Sequence, residues 1–137
     1  MYKHIMVAVD GSDNSMRAVE QAAMLAAAGE GTKVSILSVI NIDVYSDMVY
    51  DPIEAHGDAQ REKLEPASEI FREAGVEPDI QLLHGRPAEE IIRIVEQGGA
   101  DLLVIGSRGL NTLQELAIGS VSHKVLKHVT CPTLVVK

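Results

Sequence analysis

Glycines and hydroxyls stand at fixed intervals late in this 137-residue chain: Gly106-Ser107-Arg108-Gly109, nine intervening residues, then Gly119-Ser120-Val121-Ser122. Residues of these types at this spacing can hold an anion. Glycines let main-chain N–H groups come close to an oxygen, and hydroxyls add donors. A helix that begins there adds unpaired amides and about half a positive charge. Such a loop needs a strand before it and a helix behind it. Leu102-Leu103-Val104-Ile105 reads as a short buried strand, and Val121, Val125, Leu126 and Val129 recur as one helical face. The same spacing also suits a loop whose glycines serve turns and tight packing alone.

The elements that must position this loop alternate along the chain. His4 to Val9 is an apolar, β-prone run ending at Asp10-Gly11-Ser12. Ser12 or Asp13 then offers an N-cap for a helix carrying Ala18, Ala22, Leu25 and Ala26, stopped by Gly29 and Gly31. Lys33 to Ile40 reads as a second strand, and residues 41–57, with no clean period, as a long loop. Leu64, Ala67, Phe71 and Ala74 mark a second helix ending at Gly75, which Pro66 either kinks or opens. Asp79 to Leu83 is a third strand. Pro87 suits the first turn of a third helix bearing Ala88, Ile91, Ile92 and Val95 and closed by Gly98-Gly99. After the glycine loop and the last helix, residues 131–137 form a fifth strand with Pro132 at its start. The β-α alternation implies one domain over residues 1–137: an open parallel sheet with helices on both faces. If the first and fourth strands are neighbours, Asp10-Gly11-Ser12 and the 106–122 loop face one crevice beyond the strands' carboxyl ends.

Bulk properties restrict the partners. A formal net charge of −8 opposes general binding to nucleic acid or anionic membranes. It also means that a bound phosphate is held by directed donors, with a divalent cation, rather than by a basic field. No apolar run approaches the ~20 residues of a membrane span. The single Cys131 allows no internal disulfide and fits a reducing compartment, so the expected location is cytoplasmic. His4, His56, His84, His123 and His128 are too scattered for a metal site.

Four blocks, Val7-Ala8-Val9-Asp10-Gly11-Ser12, Gly85-Arg86-Pro87-Ala88, the glycine loop, and Cys131-Pro132-Thr133-Leu134-Val135-Val136, occur in an order that resembles the universal stress protein family. The loop resembles that of its ATP-binding branch. The resemblance covers essentially the whole chain, and departs from the family mildly at Leu110-Asn111 and Pro66. It implies a Rossmann-like, adenine nucleotide alpha hydrolase-like α/β fold with strand order 3-2-1-4-5 and a homodimer, and it implies ATP with Mg²⁺ bridging the phosphates. By the same resemblance, Asp10 bonds the ribose hydroxyls or helps place Mg²⁺, and Val39 presents its main chain to the adenine edge. Gly106 and Gly109 pass close to ribose and phosphate; Gly119, Ser120 and Ser122 bind phosphate oxygens; Ala8, Val9, Ile105 and Val121 line the adenosine. Each residue keeps a plainer reading. Asp10 could cap the first helix, Val39 could be strand core, and Ser120 and Ser122 could be an N-cap and a solvated residue. Arg108 could reach a phosphate or remain in solvent.

Other α/β classes want residues that are missing. A receiver domain needs an acidic pair after the first strand and an acceptor Asp after the third, where this chain has Leu83-His84-Gly85. A flavodoxin-type carrier needs aromatic rings, and there is no Trp and one Phe. A Rossmann dehydrogenase needs G-x-G-x-x-G after the first strand, which is absent. An ATP hydrolase of the P-loop kind needs a Lys on the phosphates, and residues 106–122 contain none. The expectation is a nucleotide-dependent regulatory or stress-response module with little or no rapid turnover. Two alternatives stand beside it: a slow ATP hydrolase or autophosphorylating protein, and a nucleotide-independent dimeric interaction module. The apolar strand Thr133–Val136 is the expected dimer edge, and a further protein partner remains unidentified.

Overall fold

The structure, a computed structural model, describes residues 2–42, 53–108 and 118–137. Among the described residues these elements follow one another: β1 (His4–Ala8), α1 (Asp13–Ala28), β2 (Lys33–Asn41), α2 (Ile53–Lys63), α3 (Glu65–Glu73), β3 (Asp79–Gly85), α4 (Pro87–Gly98), β4 (Leu102–Gly106), α5 (Ser120–His128) and β5 (Thr133–Val136). The strands form one parallel sheet in the order β3-β2-β1-β4-β5, so the expected α/β architecture and strand order hold. No helix among the described residues is long and apolar enough to cross a membrane.

A parallel sheet with both faces covered needs strands that are apolar on both sides. In β1, Ile5, Met6 and Val7 are fully buried, and the two-residue alternation divides them between two cores. Ile5, Val7 and Val9 join Ala18, Val19, Ala22 and Ala26 of α1, with Ala67 and Phe71 of α3. Met6 and Ala8 join Ile91 and Val95 of α4 and Val125 of α5 on the opposite face. The alanine stripe of α1 lets that helix lie close on the sheet.

Pro66 resolves as a helix opener. Leu64 ends α2, its N–H donating to the carbonyls of Gln60 and Arg61 at 3.2 and 3.1 Å. Pro66 then sits in the first turn of α3, where a missing N–H costs little. The expected loop over 41–57 is corrected at its far end, because α2 begins at Ile53 and runs through Gly57. Its sequence, IEAHGDAQREK, lacks an apolar stripe. What seats it is polar: Gln60 Nε2 donates to Ser38 Oγ at 2.6 Å. Residues 43–52 lie outside the described residues.

β5 is an edge strand and half-buried throughout. Leu103 N–H donates to Pro132 O at 2.9 Å and Ser107 N–H to Val136 O at 2.7 Å. In a parallel ladder alternate residues bond to the same neighbour, so the main-chain groups of Thr133 and Val135 face the open edge.

At the amino end of the sheet, the Asp101 carboxylate accepts the N–H groups of Lys3 and His4 at 2.8 and 3.0 Å. His4 Nε2 lies 2.8 Å from Ser35 Oγ. Burial, and then the charge of Lys33, hold the His4 ring below the ordinary imidazole range. The unfolded chain therefore takes up a proton near pH 6.5 while the folded chain resists it. This contribution is fully present above about pH 6.5 and is lost as pH falls through the window down to the folded value. Urea midpoints for the wild type should drop between about pH 7.5 and 5.5, and the drop should shrink in His4→Gln. An undiminished drop in the variant would assign the effect to other groups.

Candidate functional site

β1 lies between β2 and β4, and the chain leaves β1 and β4 toward opposite sides of the sheet. A crevice opens where such connections diverge, beyond the carboxyl ends of the strands. Its two lips are residues 10–12 and the start and end of the segment joining β4 to α5.

On the first lip, Asp10 is exposed and its Oδ1 accepts the Ser12 N–H at 2.9 Å, closing a turn through Gly11 at φ +86°. Ser12, not Asp10, caps α1: its Oγ accepts the Ser15 N–H at 3.2 Å. The plain reading of Asp10 as that cap is thereby removed.

The second lip is tied down at Ser107. Its carbonyl accepts the Gly119 N–H at 2.7 Å, and its buried hydroxyl accepts Asn14 Nδ2–H at 2.9 Å. The Ser122 hydroxyl donates to Gly106 O at 2.7 Å, again out of solvent. Two helix starts, those of α1 and α5, thus converge on the end of β4. Gly106 is glycine for a steric reason: a Cβ there would lie 2.9 Å from the main-chain carbon of Asn14.

α5 opens toward the crevice with few claims on its donors. Gly119 is its N-cap, no side chain caps it among the described residues, and its first turn carries no acid. The first bond of the helix runs from His123 N–H to Gly119 O at 2.8 Å, so the amides of Ser120, Val121 and Ser122 have no acceptor within the helix. Ser120 is exposed beside them.

The structure distributes the sequence candidates unevenly. Ala8 and Ile105 are buried, and Val39 and Val121 half-buried, all on the sheet face that carries α4 and α5. Together they make an apolar wall running up to α5. Strand alternation turns the Val9 side chain into the α1 core with Ile5 and Val7, while its N–H donates to Leu37 O at 2.9 Å. The Gly119 N–H donates to Ser107 O. Ser122 likewise commits its proton to Gly106. Arg108 follows Ser107 and is half-buried; Gly109 lies outside the described residues. Sequence reasoning missed Asn14 and assigned Ser107 no contact. The available signal was a polar residue in the first turn of a helix whose later inward positions, Ala18, Val19, Ala22, Ala23 and Ala26, are all apolar.

No group of three or more His, Cys, Asp or Glu side chains among the described residues could hold a metal on its own. Among the described residues Asp10 offers a carboxylate at this crevice, which suits Mg²⁺ taking most of its ligands from phosphate oxygens and water. A separate concavity of about 370 Å³ lies between α1 and α3. Its lining of Ala23, Met24, Ala27, Ile70 and Ala74 with Glu20 and Glu73 would repel a phosphate.

Comparison with known proteins adds a common descent to this geometry. The model of the universal stress protein family matches residues 1–137. Universal stress protein YxiE of Bacillus subtilis is 36% identical over 149 residues, covering all of both chains. The solved structure of MJ0577 superposes with a TM-score of 0.87 at 28% identity, over 100% of this chain and 96% of that one. A universal stress protein from Archaeoglobus fulgidus solved with dAMP gives 0.74 at 27% identity, covering 99% and 98%. Another, solved with cAMP, gives 0.72 at 28%, covering 99% and 97%.

Proposed function

The chain belongs to the universal stress protein family, and from that premise we propose that it is a nucleotide-dependent regulatory module whose crevice binds Mg-ATP without rapid turnover. The observation that carries the reading is the start of α5, with donors uncapped by any described side chain and no acid in its first turn, after the strand that neighbours β1 at the switch point of the sheet. dAMP and cAMP, bound by two relatives, have in common an adenine and a phosphate. The crevice offers an apolar slot for the first and a helix N-terminus for the second.

In this reading Ala8, Ile105 and Val121 flank the adenosine and the main chain of Val39 meets the adenine edge. Asp10 accepts from the ribose hydroxyls or shares Mg²⁺ with the phosphates. The amides of Ser120 to Ser122 and the Ser120 hydroxyl hold phosphate oxygens, with Arg108 and Gly109 alongside. Mg²⁺ would screen phosphate charge next to an acidic protein. Lysine is absent from residues 106–122, which supports binding over hydrolysis.

Protein purified without added nucleotide, heat-denatured and chromatographed, should release near-stoichiometric ATP, and Gly109→Val should release little. Mostly ADP would favour a slow hydrolase or an autophosphorylating protein. No nucleotide, followed by no heat on titration with Mg-ATP, would overturn the reading and leave an interaction module.

The same proposal makes β5 the edge at which two copies pair about a two-fold axis. The side chain of Val135 is half-buried against the α4/α5 core, so a charge there would disturb the fold as well as the edge. Proline is cleaner, because it removes an outward N–H and leaves the β4 ladder intact. Val135→Pro should sediment as a monomer at concentrations where the wild type is a dimer, with its far-ultraviolet spectrum unchanged. A dimer persisting in that variant would move the interface elsewhere.

A further inference from the structure

We propose that Asn14 and Arg17 are positioning residues that couple occupancy of the crevice to the end of the edge strand β5; this rests on the nucleotide-binding reading above. Asn14 is a buried amide, 6% exposed, in the first turn of α1. Both ends of it are engaged. Its Nδ2 donates to Ser107 Oγ at 2.9 Å, and its Oδ1 accepts from Arg17 Nη2. Arg17 Nε in turn donates to the main-chain oxygen of Lys137 at 2.8 Å. The circuit closes through the sheet, because Ser107 N–H donates to Val136 O at 2.7 Å.

Ser107 is the junction. Its N–H ties the end of β4 to β5, and its carbonyl accepts the Gly119 N–H and so sets where α5 begins. A ligand that orders the first turn of α5 therefore bears on Ser107, and Ser107 is linked to β5 both directly and through Asn14 and Arg17. The buried Asn14–Ser107 bond holds one geometry more firmly than a solvated pair would, and it orients the more exposed Arg17 bonds beyond it. β5 has four residues, all half-buried, and lies at the edge of the sheet. Local opening there is the low-stability motion that such a link would damp. Coupling of this kind is reciprocal, so a more firmly held β5 raises ligand affinity by the same factor.

The test reads hydrogen exchange in peptides spanning 131–137, with and without saturating Mg-ATP, at two protein concentrations about tenfold apart. Calorimetry on the same samples gives the affinity. In the wild type, Mg-ATP should slow exchange in β5 by about tenfold at both concentrations. Arg17 is exposed, so Arg17→Ala should fold; in it the slowing should shrink to within about twofold and affinity should fall by a similar factor. Arg17→Lys can restore one of the two contacts and should recover part of the response. Asn14→Ala should lose the response and about tenfold in affinity; should it fail to fold, the Arg17 pair carries the test. A merely structural staple would raise basal exchange in the variants and leave the ligand response intact, which overturns the proposal. Wild-type binding with no change in β5 exchange does the same. A wild type that binds no nucleotide instead overturns the site reading, and the coupling falls with it.

Discussion

Gly106→Val should destabilise the nucleotide-free protein by about 3 kcal/mol, lowering its melting temperature by roughly 10 °C. Even the Cβ of alanine would stand 2.9 Å from the Asn14 main-chain carbon, 3.0 Å from its Cβ and 3.1 Å from its carbonyl oxygen. The close neighbours are helix main chain, which cannot rotate away as a side-chain end could. Relief requires α1 to lift from β4, at the point where α1 also donates to Ser107. Gly→Ala elsewhere can gain about 0.4–1 kcal/mol by restricting the unfolded chain; here that gain is smaller than the overpacking. Gly11→Ala makes the contrast. Nothing lies within 4 Å of a Cβ at Gly11, and the cost there comes from φ +86° alone, about 1–2 kcal/mol. Denaturant melts of the three proteins without nucleotide measure the difference. A Gly106→Val protein within about 0.5 kcal/mol of wild type would mean that this glycine is kept for ligand approach and not for packing.

That ambiguity is where reading from sequence reaches its limit. The fold was legible because local signals agreed: apolar strands bounded by glycine, an alanine stripe at Ala18, Ala22 and Ala26, and Pro87 opening a helix. α2 was not legible, since a hydrogen bond from Gln60 to Ser38 leaves no periodic trace. At the site, sequence shows which residues can donate and not what they already donate to. Gly119 and Ser122 sit in an anion-binding pattern, and the structure spends their protons on Ser107 and Gly106. Val9 sits beside Ala8 and Asp10 in the chain, yet the two-residue period of a strand sends its side chain to the other core. Asn14 shows in sequence only as a polar residue in line with an apolar helix face, which does not say what it bonds to. Its importance lies in closing contacts between residues more than ninety positions apart.

Ser120→Glu should separate the two surviving readings of the start of α5, because it moves stability and affinity in opposite directions. α1, α3 and α4 all carry acids in their first turns, at Asp13, Glu65, and Glu89 with Glu90. α5 carries none and lacks a side-chain cap. A carboxylate placed there meets the positive end of the helix and should raise nucleotide-free stability by about 0.5 kcal/mol. Were the turn a plain helix start, that would be the whole effect. With a phosphate held on the same amides, the new charge lies within a few ångströms of the ligand's own. At 4 Å and an effective dielectric near 20, two like unit charges cost about 4 kcal/mol. Screening by solvent and Mg²⁺ reduces this, and a loss of about 100-fold in Mg-ATP affinity is expected. Added salt should recover part of it. Ser120→Ala, which removes one hydroxyl and adds no charge, should lose no more than about tenfold. Calorimetric titration beside urea melts of the same preparations gives both quantities. A glutamate variant that is more stable and binds Mg-ATP as tightly as wild type would place the phosphates away from α5, and the crevice would need another anion site.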